Sequence, residues 1–157
     1  MIRKPFSAFG RILYANYYEA GYTGEAATFS ASDNILFFSE GSFTVLDKIT
    51  GEVVHELVPG AINMGEYEDR MFNCVCNVAS VFWCYDPKVN QNYIPVIDSL
   101  IVKRGESVAL PTGTNLFLCS GTLQINDATC VAPRQIHVRS VGTTATATED
   151  VYGLVFK

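Results

Sequence analysis

The side chains able to do chemistry in this chain are few and scattered. It holds two histidines, His55 and His137, and five cysteines, Cys74, Cys76, Cys84, Cys119 and Cys130. A zinc or iron centre needs three or four nitrogen, sulfur or oxygen ligands converging at ~2.0–2.3 Å. Cys74-Val75-Cys76 sets two thiols on one face of a strand, with Cys84 as a candidate third. A free cysteine, however, is among the most often buried residue types and packs as a small hydrophobe. All five are read as core residues, and no metal or other cofactor is expected. His55 and His137 each stand in an alternating segment, HELV and IHVR. Two such imidazoles at a barrel mouth would bind a carboxylate or serve as general base. A strand, though, sends Glu56 to the face opposite His55, so this carboxylate does not orient the ring. A surface histidine hydrogen-bonded to a neighbour is the preferred reading of both.

Tyr67 sits in the acidic run MGEYEDRMF, whose Glu66, Glu68 and Asp69 lack the ligand spacing of a calcium loop. GYTGEA lacks the lysine of a phosphate-binding loop, and there is no G-x-S-x-G nucleophile elbow. What remains is aromatic. Phe6, Phe9, Tyr14, Tyr17, Tyr18 and Tyr22 crowd the first 22 residues. Tyrosine joins a large apolar ring to a hydroxyl, a combination suited to contact surfaces. Residues 1–22 are therefore a candidate N-terminal arm, and these six a candidate interface. An edge strand with its rings on the barrel is the equal alternative. Arg3, Lys4 and Arg11 read as a solvated terminus.

The elements that must position these residues are strands. Ile35–Phe38 (ILFF) and Val81–Tyr85 (VFWCY) are short apolar runs, while Ser42–Val45, Gln135–Val141 and Asp150–Phe156 alternate. Turn signals such as ITGE, YDPKVNQN, LPTGTN and VGTT recur about every eight to twelve residues, the spacing of a sandwich or barrel. No window sustains a 3.6-residue period; Met64–Phe72 is the best helical stretch, at most two turns. The predicted fold is all-β, a single jelly-roll barrel or β-sandwich.

At 157 residues the chain fits one domain, 1–157. Charged residues make up 17%, below the usual ~25%, so much of the surface is neutral and polar and offers little repulsion between copies. The net charge of −5 argues against nucleic-acid binding, which relies on clustered Lys and Arg. No stretch reaches the ~18–20 apolar residues of a membrane-spanning helix, and MIRKPFSAFGRILYANYY has no apolar core of a secretory signal. Free thiols in odd number fit a reducing compartment. The expectation is a cytoplasmic or virion protein.

The chain also resembles itself. TGEAATFSASDNILFFSEGSFTVLD (23–47) and RGESVALPTGTNLFLCSGTLQIND (104–127) share glycines, acids and apolar positions when Gly24 is aligned with Gly105, Leu36 with Leu116 and Gly41 with Gly121. That predicts two pseudo-repeated halves, 1–86 and 93–157, of four or five strands each. A ribbon of that size has one apolar face and open edges, so the halves are expected to cover one another.

Gly105–Gly113, GESVALPTG, has the glycine, proline and glycine spacing of the second cupin motif. LFLCSGTLQI and FFSEGSFTV resemble the strand–glycine–strand steps of that family. The resemblance implies a small jelly-roll barrel. Metal-binding cupins carry a histidine where this chain has Leu116, and a His-x-His that it lacks, so the resemblance does not bring the metal chemistry with it. In its Thr, Asn, Gly and aromatic content the chain also resembles small accessory proteins of phage particles. These readings predict a non-enzymatic structural protein that forms homo-oligomers or joins other structural subunits. The alternative is a metal-independent cupin-like binder or isomerase of a small molecule or sugar, with His55, Tyr67 and His137 lining a pocket. A carbohydrate-binding module would instead expose coplanar rings such as Tyr85 and Tyr93.

Overall fold

A computed structural model describes the backbone of residues 1–26, 35–41, 43–57, 60–63 and 71–157; the side chains of 35–40, 55, 57 and 60–63 lie outside that description. Tyr67 and residues 64–70 of the helical candidate Met64–Phe72 fall outside it too, while Phe72 begins a strand. The chain divides into two compact units, Met1–Ile94 and Pro95–Lys157. Among the described residues, no helix is long and apolar enough to cross a membrane.

Among the described residues, the first unit contains nine strands: β1 (Ile2–Ala8), β2 (Arg11–Tyr18), β3 (Tyr22–Glu25), β4 (Ile35–Glu40), β5 (Phe43–Asp47), β6 (Val53–Leu57), β7 (Gly60–Asn63), β8 (Phe72–Cys76) and β9 (Ser80–Tyr85). They form two antiparallel sheets, ordered β1-β2-β9-β4-β7 and β3-β8-β5-β6. The second unit contains eight: β10 (Ile97–Val102), β11 (Ser107–Leu110), β12 (Asn115–Ser120), β13 (Thr122–Ile125), β14 (Ala128–Val131), β15 (Arg134–His137), β16 (Thr143–Ala147) and β17 (Val151–Phe156). Its sheets run β10-β17-β12-β15 and β11-β16-β13-β14. Each unit has the eight-stranded strand order of a jelly roll, and the first adds β1. The strands per half are thus nine and eight, not four or five, because turns every few residues cut the ribbon more finely than the apolar pattern suggests.

Alternation explains the strands with one wet face. Along β5 and β8, every second side chain is buried: Phe43, Val45 and Asp47 on one, Phe72, Cys74 and Cys76 on the other. Asp47 ends its strand by accepting the backbone N–H groups of Ile49 and Thr50 on one carboxylate oxygen, both at 2.9 Å, an Asx turn into β6. By contrast, β9 is buried along its whole length, and its neighbour β2 is largely buried. Within residues 1–22, read above as a candidate arm or an edge strand, β1 and β2 form a hairpin whose second strand lies between β1 and β9.

Hydrogen-bond register relates the units strand by strand. Leu36 stands opposite Ile62 and Cys84, as Leu116 stands opposite Ile136 and Val155. Both ladders slip at the same place, Phe38/Glu40 and Leu118/Ser120. The aligned glycine Gly24, however, is not the counterpart of Gly105. Gly105 has φ +85° and donates its N–H to Ala147 O; the residue doing this in the first unit is Gly21, at φ +80°, donating to Cys76 O. Matching by Gly-Glu identity misplaced the first strand by three residues, because the turn and not the dipeptide is what the fold repeats.

The same register separates the histidines. His137 on β15 faces Asn115, the position held in the first unit by Asn63 on β7, whereas His55 stands on β6 opposite Val45. They occupy non-equivalent strands of different sheets. The reading of the two as a pair at one barrel mouth therefore has no support from strand equivalence.

Candidate functional site

In a small jelly roll the place for a ligand is the space between the sheets, so its filling decides what the unit can do. In the first unit, among the described residues, rings and thiols pack into that space. Phe43 and Phe82 stack with centroids 3.9 Å apart, and Tyr18 packs edge-on against both at 5.1 and 5.4 Å. Cys74, Cys76 and Cys84 complete the cluster. Burial pushes the thiols of Cys74 and Cys84 up to about 12, so both are neutral at ordinary pH, without the thiolate needed for metal ligation or nucleophilic attack. Tyr18, a candidate interface residue on sequence grounds, is thus a core residue. Tyr22 packs on the same cluster and stands edge-on to Tyr18 at 5.0 Å; desolvation, with nearby Cys74, raises its hydroxyl above its ordinary range.

A buried polar residue stands opposite Phe82 of this cluster. Asn16 is fully buried, its Nδ2 donates weakly to Phe82 O at 3.4 Å, and its Oδ1 has no hydrogen-bond partner among the described residues. Register makes Leu100 its counterpart, since Asn16 faces Phe82 as Leu100 faces Gly153. A buried acceptor left unmade costs about 1–3 kcal/mol. Asn16→Leu should therefore stabilise the protein by about 1 kcal/mol, raising the melting temperature by about 2–4 °C. A fall in the calorimetric midpoint would show that Asn16 holds a buried water or ligand that the leucine expels.

The second unit is aliphatic throughout its cluster, with Leu110, Leu116, Leu118, Leu123, Ala145 and Val151 among its buried members. Leu116, at the position where cupins bring a metal-binding histidine, is fully buried there. Gly113, the last glycine of the motif, has φ +89° and donates its N–H to Val138 O at 2.7 Å, so the motif makes a turn. His137 is exposed, with Nδ1 2.5 Å from Oδ1 of its cross-strand partner Asn115. The side chain of His55 and all of Tyr67, the other two pocket candidates, lie outside the described residues.

The remaining candidates lie on the β1–β2 hairpin. Arg3 stacks over the Tyr14 ring at 4.0 Å and Lys4 over Tyr17 at 5.5 Å, both across the strand pair, while Arg11 covers Tyr93 at 4.1 Å. The basic cluster is therefore built into a strand instead of fraying. Phe6 packs on Trp83 at 5.1 Å, and Phe9 takes φ +51° at the hairpin turn, a rare conformation for a bulky side chain. Behind the hairpin, the loop after β9 is clamped by Asn90. Its Oδ1 accepts from Ile12 N at 2.8 Å and its Nδ2 donates to Ile12 O at 3.1 Å, as a neighbouring strand would. Tyr85 is wholly buried and donates its hydroxyl to Tyr93 O at 2.6 Å, so the exposed aromatic pair of a carbohydrate platform is not formed. Sequence reasoning missed this clamp; its only signal is a polar Asn in YDPKVNQN, 78 residues from its partner.

At the far end of the hairpin, Met1, Ile2, Tyr17 and Val81 wall an open, mainly apolar cleft of about 270 Å³ that also reaches Glu19 and Ser80. That is just below the usual range for small-molecule sites, roughly 300–1,000 Å³.

Neither a protein-family model nor a curated protein sequence matches the chain. Solved structures do. HutD from Pseudomonas fluorescens SBW25 aligns with 99% of this chain and 93% of its own length at 11% identity, with a TM-score of 0.58. The conserved protein of unknown function PA5104 from Pseudomonas aeruginosa PAO1 aligns over 99% and 89% at 14% identity and a TM-score of 0.55. YhaK from Escherichia coli aligns over 99% and 92% at 13% identity and 0.54. Likeness at this level of identity shows the fold alone: the chain is an all-β protein with a cupin-like fold.

Proposed function

We propose that this protein works by association and not by catalysis, as a cupin-like structural protein that joins copies of itself or subunits of a larger assembly such as a phage particle. The observation that supports this reading is the packing of apolar side chains between the sheets of each unit among the described residues, from the Phe43–Phe82 stack in one to the leucine cluster in the other. A reaction needs substrate space next to a proton donor or nucleophile; here Leu116 stands where a cupin would place a histidine, and the buried thiols of Cys74 and Cys84 are neutral. The shared strand order of the two units supports reading the chain as a doubled half. The low charge content leaves association unopposed.

The cleft at Met1, Tyr17 and Ser80 favours a second reading, a small-molecule binder whose site lies outside the barrels. Light scattering across a hundredfold range of concentration separates the two. The association reading expects a mass that is a multiple of 17.2 kDa. A monomer at every concentration, with a melting temperature raised by small amphiphiles, would favour the second.

A further inference from the structure

Each sheet has two end strands whose outer backbone groups lack a ladder, and a protein must blunt or use them. In the first unit, β2 is covered on its outer side by β1. Its counterpart in the second unit, β10, ends its sheet, with no strand on its outer side among the described residues. The backbone groups left open there can be named. Val96 O accepts from Lys157 N, and Ile97 stands opposite Phe156, so the even-numbered residues of β10 bond towards β17. Antiparallel pairing then turns the N–H and C=O of Ile97, Ser99 and Ile101 outwards.

The other described sheet ends are poorer templates. On β1, the Asn90 clamp shows that Ile12 bonds towards the β9 side, which leaves Pro5, opposite Tyr14, with its ring nitrogen on the open side, flanked by Arg3 and Lys4. Proline and basic residues are common blunting devices. The ends β3, β7, β11, β14 and β15 are four residues long, and β6 is broken by a bulge. Only β10 offers six residues with no proline or glycine and an exposed isoleucine, Ile101 (44% exposed). Its one charge, Asp98, is held by Lys157 at 2.5 Å.

We propose that β10 pairs antiparallel with β10 of a second copy, joining the two β10-β17-β12-β15 sheets into one eight-stranded sheet. The strand is self-complementary about Ser99. Centred there, Ser99 faces Ser99 and each Ile97 faces the other copy's Ile101, so all three outward-facing residues meet their like. Asp98 faces Leu100, and no like charges oppose. A twofold axis through the Ser99 pair closes the assembly as a dimer.

This assignment rests on the association reading, and one experiment separates their failures. Ser99→Pro removes an N–H that the monomer does not use; Ser99→Lys adds an edge charge. Both are compared with wild type by light scattering, with far-ultraviolet circular dichroism to verify the fold. A wild-type dimer whose dissociation constant rises at least a hundredfold in both variants, with spectra unchanged, supports the β10 seam. A wild-type oligomer of unchanged affinity in the correctly folded Ser99→Lys variant overturns the seam and leaves association standing. A wild-type monomer at every concentration overturns both. Should Ser99→Pro misfold, Ser99→Lys carries the comparison.

Discussion

Gly121→Ala is expected to destabilise the protein by about 2–4 kcal/mol, while Gly105→Ala costs only about 1 kcal/mol. Both glycines have positive φ, +89° and +85°, so both alanines bear the strain of a left-handed backbone. Their surroundings differ. Around Gly105 an added Cβ meets nothing within 4 Å, whereas at Gly121 it would collide with the carbonyl oxygen of Asp150, just before β17. That obstacle is backbone, held at the point where the β12–β17 ladder slips, and it cannot rotate away. The counterpart Gly41 (φ +78°) instead presses against the Ser80 side chain. Gly41→Ala should therefore be partly rescued by Ser80→Gly, and no side-chain change should rescue Gly121→Ala. Urea titrations of the single and double variants measure this. Equal losses at 105 and 121 would show that the Asp150 carbonyl does not crowd Gly121.

These glycines also mark how far the sequence could be read. A chain with turn signals every eight to twelve residues announces an all-β fold, since half-buried antiparallel strands produce alternation such as FTVLD and FNCVC. GESVALPTG was legible because turns with positive φ demand glycine, and the cupin-like strand order follows from where those turns fall. RILYANYY was not legible as a central strand. It is largely buried on both sides, so it shows no alternation, and its tyrosines suggested a surface. The stacking of Arg3 on Tyr14 and the clamp of Asn90 on Ile12 depend on cross-strand register, which apolar patterning does not encode. The open edge at β10 is a property of strand order alone, invisible until it is known which strand has no neighbour.

Cysteine burial should make the fold sensitive to alkali. Free thiols titrate near 9, and the Cys84 thiol is pushed up to about 12, chiefly because burial penalises the thiolate, with Arg3 offsetting part of that and Asp86 adding to it. The sign follows from proton counting. Between pH 9 and 12 the unfolded chain has released the Cys84 proton and the folded chain retains it, so unfolding releases a proton and stability falls as pH rises. The stabilisation is whole below pH 9 and lost progressively up to about pH 12. For this fully buried group the slope is about 1.4 kcal/mol per pH unit. Cys74 shifts in the same direction, from burial first and the neighbouring Cys76 second. Other groups titrate in this range, including Tyr22 and Tyr85, both raised by desolvation. The informative quantity is therefore a difference between wild type and Cys84→Val. Valine stands at the equivalent position 155, packs with nearly the same volume and cannot ionise. At pH 7 the variant should differ from wild type by less than about 1.5 kcal/mol. Between pH 9 and 10.5 it should lose stability less steeply, by about one proton's slope, in urea titrations read by tryptophan fluorescence. Parallel pH profiles would mean that water reaches Cys84, and the first unit would then have room for a ligand after all.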